Sequence, residues 1–147
     1  MAKKILLVDD DSDDREFFCE ALEEIGFDIL CYTAPDGRRA IAEMDQKNLE
    51  TPDLIFLDVN MPIMSGWQGL SILKEREAYK SIPVIMYSTS SSQDDLIKAK
   101  QYGALCFFVK PTAFNDLKNS LETIISHLIN NTLPTLSQVT PLVCKVN

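Results

Sequence analysis

Apolar residues fall along this chain in two alternating rhythms. Ile5–Val8 is an unbroken apolar run, the pattern of a strand buried on both faces. From about Ser12 to Ile25 the period changes, and Phe17, Phe18, Ala21, Leu22 and Ile25 share one face of a helix that Gly26 ends. Ile29–Thr33 reads as a strand, and Asp36 to about Lys47 as a helix with Ala40, Ile41 and Met44 inward. Leu54–Leu57 and Ile82–Tyr87 are further apolar strands. Between them lies a helix from Gly66 to about Glu77. Ser91 or Ser92 opens the next helix as an S-x-x-D capping box, and Gly103 closes it. Leu105–Val109 is the last strand. Thr112–Ile129 is the last helix, with Phe114, Leu117, Leu121, Ile124, Ile125 and Leu128 on one stripe.

Strand followed by helix, five times over, predicts an α/β fold with right-handed crossovers and a parallel sheet covered on both faces. Five units are too few for a (βα)8 barrel. The expected architecture is an open, doubly wound, flavodoxin-like sheet in strand order 2-1-3-4-5, whose sites form beyond the carboxyl ends of the strands. Residues 1–129 make one domain in this reading. The remaining segment, 130–147, is polar, carries two prolines and has no helical period. It is expected to be a disordered or loosely docked tail, although Leu136, Val139, Leu142, Val143 and Val146 leave room for a docking segment.

Charge narrows the partners. The net charge of −8 disfavours nucleic acid and anionic membrane surfaces, which need a basic face. No apolar run has the length of a membrane span, and the N-terminus lacks the pattern of a secretory signal, so a cytoplasmic location is expected. The four cysteines form no CxxC pair and there is one histidine, which leaves no zinc motif. Cys31 and Cys106 sit in apolar runs, as buried reduced thiols do.

Acids crowd the end of the first strand, in KKILLVDDDSDD. Asp11 or Ser12 can cap the following helix, and Asp13 and Asp14 in its first turn suit the helix dipole. That leaves Asp9 and Asp10 at the strand end, and Leu54–Leu57 likewise ends in Asp58. Neighbouring strands would bring these three carboxylates together, and such a group needs a cation or a proton. A hard divalent ion such as Mg²⁺ suits all-oxygen ligands, and a carboxylate beside it can accept a phosphoryl group. Ser88 and Lys110 stand at the ends of two further strands, where a hydroxyl and an ammonium could hold phosphoryl oxygens.

Together, VDDD (Val8–Asp11), DVNMPIMSG (Asp58–Gly66), PVIMYSTS (Pro83–Ser90) and FFVKP (Phe107–Pro111) closely resemble the receiver domain of two-component response regulators, over about Lys3 to Leu128. The resemblance implies a phosphorylation-activated switch rather than a turnover enzyme. By it, Asp58 accepts the phosphoryl group of a phosphohistidine. Asp9, Asp10, Asp58 and the backbone carbonyl of Asn60 hold Mg²⁺. Lys110 and Ser88 bind the phosphoryl group, and Phe107 is the switch aromatic. Pro111 implies a cis Lys110–Pro111 bond, and Pro62 and Gly66 shape the loop after the acceptor. The donor is a sensor histidine kinase or histidine phosphotransfer protein. The output is an unnamed protein contact, with homodimerisation through the fourth helix, fifth strand and fifth helix as one form. Asn60 and Ser90 occupy the two positions that influence phosphate hydrolysis in the family, and neither is a good general base. His127 reads as surface or packing, and Trp67 carries no role.

Two other readings fit less well. A haloacid-dehalogenase-like phosphatase needs D-x-D-x-T on its first strand, whereas the acceptor here lies in Asp58-Val59-Asn60-Met61-Pro62 on the third. A flavodoxin-like nucleotide binder needs a glycine-rich turn where this chain has VDDDSDD.

Overall fold

Five parallel strands stand side by side in the order β2-β1-β3-β4-β5 in the computed structural model, which describes residues 2–89 and 92–138. The elements run β1 (Lys3–Val8), α1 (Ser12–Ile25), β2 (Ile29–Ala34), α2 (Gly37–Asp45), β3 (Leu54–Asp58), α3 (Gly66–Glu75), β4 (Val84–Ser88), α4 (Gln93–Gln101), β5 (Cys106–Val109) and α5 (Phe114–Ile129). Fold class and strand order are those the hydrophobic pattern predicts.

The sheet separates two apolar layers, because successive side chains of a strand point to opposite faces. Ile5, Leu7, Phe56, Tyr87 and Phe108 face α1 and α5, where Phe18, Leu121 and Ile125 meet them. Leu6, Val8, Ile55, Leu57, Met86 and Phe107 face the other way, toward Ile41, Leu70, Leu73 and Ala99. Phe18, Phe56, Tyr87 and Phe108 pack mostly edge to face, with centroids 5.0–6.4 Å apart. Strands β3 and β4 are buried along their whole length, whereas the edge strand β2 is half open.

Element ends differ from expectation by two residues or so, for local reasons. Strand β4 starts after Pro83, which has no N–H to give a ladder. Arg76, at φ −92° and ψ 127°, is extended and stops α3 two residues early. Gly26 closes α1 at φ 80°, a left-handed conformation that glycine adopts without a Cβ penalty. Asp11, not Ser12, is the cap of α1, accepting from the N–H groups of Asp13 and Asp14 at 2.9 and 3.1 Å. Ser92 and Asp95 form the capping box of α4; Ser91 lies outside the described residues.

The chain turns at Asn131 (φ 58°) and folds back on α5 as a short 3-10 helix, Leu133–Gln138. Leu133 and Leu136 are buried in the α1–α5 layer. His127 holds this turn, its Nδ1 2.8 Å from the Thr132 hydroxyl. Val139, Leu142, Val143 and Val146 lie outside the described residues. Cys106 is disulfide-bonded rather than a reduced thiol, while Cys19 and Cys31 are free. Trp67 is half-buried beneath Tyr102 and Lys98. Among the described residues, no helix is long and apolar enough to cross a membrane.

Candidate functional site

Register builds the site. Val8 pairs with Leu57, Asp58 with Tyr87, and Ser88 with Val109. The residues at these four strand ends therefore meet at one edge of the sheet. Asp9, Asp10 and Asp58 each offer a carboxylate oxygen within 4.8 Å of the others. Asp9 and Asp58 are buried and Asp10 is exposed, so the cluster opens to solvent on one side.

Lys110 lies across the cluster. Its ammonium donates to Asp9 Oδ2 at 2.7 Å and to Asp14 Oδ2 at 2.9 Å, and it stands 3.5 Å from Asp58 Oδ2. The same ammonium is 5.0 Å from the centroid of the Tyr87 ring. Backbone donors fix the acids: the Asp11 N–H donates to Asp9 Oδ1 at 3.0 Å, and the Asn60 N–H to Asp58 Oδ1 at 3.2 Å. Arg15 donates to the Asp9 carbonyl at 2.7 Å. The sequence reading missed Asp14, Arg15 and Tyr87. For Asp14 the signal was present but hidden: the third residue of a helix capped by Asp11 points back toward the strand end, and the helix dipole was already reason enough for an acid there.

One ammonium is shared by three carboxylates, those of Asp9, Asp14 and Asp58. Burial pushes the Asp58 carboxyl up to about 7; Lys110 pulls it down, and Asp9 pushes it further up. Burial opposes the charge on Lys110, but its hydrogen bonds to Asp9 and Asp14 outweigh that and raise its pKa above the ordinary lysine value. An all-oxygen, anionic, half-open set of this kind fits a hard divalent cation.

Ser88 is buried at the end of β4, and its carbonyl accepts from the Lys110 N–H at 2.6 Å. Phe107 is fully buried in the layer beneath α4. Ser90 lies outside the described residues. The Lys110–Pro111 bond is trans, not the cis bond expected, for no cis peptide occurs among the described residues. Trans is the lower-energy form even before proline, and from it Lys110 already reaches the carboxylates. Pro62 is exposed in a bend of the loop after Asp58. Gly66 is a steric necessity in that loop: a Cβ there would stand 2.2 Å from the Asp58 carbonyl oxygen. Beside the cluster, Asp14, Phe17, Thr89, Lys110 and Thr112 line an open cleft of about 350 Å³.

Residues 5–122 match the family model described as response regulator receiver domain. Response regulator Rcp1 of Synechocystis sp. is 32% identical over 137 residues, covering 90% of this chain and 93% of that protein. The crystal structure of the phosphorylated cyanobacterial phytochrome response regulator RcpA superposes with a TM-score of 0.81 at 30% identity, covering 89% of this chain and 96% of that one. The Mn²⁺-bound form of Rcp1 gives 0.75 at 32% identity, covering 84% and 92%. Some relatives are longer: the chain spans 54% of PhoB from Klebsiella pneumoniae.

Proposed function

The chain belongs to the response regulator receiver domain family, signalling proteins that take a phosphoryl group from histidine kinases, and on that premise we propose that Asp58 is the acceptor and that the pocket around it performs the transfer. The observation that carries the proposal is the convergence of Asp9, Asp10 and Asp58 within 4.8 Å, with the Lys110 ammonium already among them. The whole is a phosphorylation-activated signalling switch.

Asp9, Asp10, Asp58 and the Asn60 carbonyl would hold Mg²⁺. Bound there, the ion would supply positive charge to offset that on the transferring phosphoryl oxygens. The chain's own residues do the rest. Asp58 attacks the phosphorus of a phosphohistidine; the new bond is carboxylate oxygen to phosphorus, and the bond broken is phosphorus to imidazole nitrogen. The attack needs Asp58 ionised, and Lys110 favours that form. Once the phosphoryl group is in place, Lys110 turns from Asp9 to its oxygens, and the Ser88 hydroxyl donates to another. Movement of Ser88 frees space beside Phe107, which biases the surface of α4, β5 and α5 between two arrangements. That surface meets the output protein or a second copy of the chain. A cytoplasmic site, a phosphotransfer protein as an alternative donor, and an output free of nucleic acid and membrane complete the reading; the net charge of −8 supports the last.

The test is intact mass after incubation with acetyl phosphate. Wild type with Mg²⁺ should gain one phosphoryl group, and Asp58→Asn, or wild type with the metal chelated, should gain none. An adduct that persists in Asp58→Asn would place the acceptor elsewhere.

A further inference from the structure

Two cysteines away from the acidic pocket touch each other. Cys19 on α1 and Cys31 on β2 bring their Sγ atoms to 3.8 Å, and both are free, half-buried thiols. Disulfide sulfurs stand about 2.05 Å apart, roughly 1.8 Å closer than these two. We propose that Cys19 and Cys31 form a dithiol modification site, which low-molecular-weight disulfides of the glutathione type oxidise reversibly to an intramolecular disulfide.

The two sulfurs are unequal, and this sets the order of steps. Cys31 is the deeper one; burial and the contact with Cys19 keep it protonated. The contact with Cys31 lowers the Cys19 pKa to about 7 against the opposing effects of burial and Glu23, with help from Arg15. A thiol with a pKa near neutrality is well placed to attack a disulfide at neutral pH. The Cys19 thiolate attacks one sulfur of the small disulfide and releases the other half as a thiol. The Cys31 sulfur then loses its proton, attacks Cys19 Sγ and expels the second half. Two protein thiols are oxidised, one small disulfide is reduced to two thiols, and no other electron donor or acceptor is needed.

Closure would tie α1 to the edge strand. Helix α1 carries Asp14, which bonds Lys110, and Arg15, which bonds the Asp9 carbonyl, in its first turn. The site is separate from the phosphoryl chemistry and stands or falls without it.

The experiment is non-reducing peptide mapping by mass spectrometry of the full chain after incubation with oxidised glutathione. Wild type should yield the Cys19 peptide joined to the Cys31 peptide, released by dithiothreitol. Cys31→Ser should stop one step earlier, with a single glutathionyl group on Cys19. A stable glutathionyl adduct on Cys19 of the wild type, no reaction there, or a link from Cys19 to any other cysteine would overturn the proposal. The wild-type map requires no variant to fold, and it decides alone.

Discussion

The role proposed for Asp58 pulls against its place in the fold, for the acceptor must carry a charge and Asp58 is buried. Its pKa in the fold is about 7, above the 3.8 of a free carboxyl. A raised folded-state pKa means that the folded protein holds the proton more tightly. The contribution of Asp58 to stability is therefore intact below about pH 4 and is lost as the pH rises through about 7. In divalent-free buffer at about pH 8, Asp58→Asn should be more stable than wild type by ~1 kcal/mol or more, and the gap should vanish near about pH 4. Urea denaturation at the two pH values reads this. Gly66 acts at the same scale by what it lacks. Gly66→Ala should cost about 3 kcal/mol in the same assay, since the new methyl meets the backbone of Asp58 and Val59 rather than a side chain that can turn aside.

Among the elements, the helices differ in how their first turns are satisfied. Asp11, Asp36, Ser65 and Ser92 cap α1 to α4 through their side chains. The cap of helix α5 is Ala113, whose methyl can accept nothing. Ala113 already has the extended backbone of a cap, at φ −96° and ψ 137°. Ala113→Asp should therefore stabilise the protein by about 1 kcal/mol, seen as a higher Tm, with phosphoryl uptake unchanged.

For the whole molecule, the docked segment after α5 adds to the α1–α5 layer. Leu136 is only 5% exposed there, against α5 and the sheet. Leu136→Ala should lower stability by about 2 kcal/mol in chemical denaturation, and phosphorylation of the folded protein by acetyl phosphate should proceed as before. The acidic pocket lies at the carboxyl edge of the strands, while this segment packs under Leu128 near Lys3, Asp53 and Pro83 at the opposite edge. That separation is why the two should not interfere.

Much of this protein was legible in its sequence, for a physical reason. A strand buried on both faces admits no polar residue, so Ile5–Val8 and Leu54–Leu57 announce themselves, and the acids that end them stand out. Periodicity gave the helices, and alternation of the two gave the parallel sheet. The candidate site at Asp9, Asp10, Asp58, Ser88 and Lys110 stood out because each of them follows or ends an apolar run. What only the tertiary structure decided is which distant groups meet. Lys110 chooses Asp9 and Asp14, 101 and 96 residues away, over Asp58. Tyr87 lies beneath it, Gly66 crosses the Asp58 backbone, Leu136 folds under α5, and Cys19 touches Cys31 across α1 and β2. These are contacts between elements. Local pattern dictates an element and the face it buries; the register of neighbouring strands and the seating of helices on them determine who stands opposite whom.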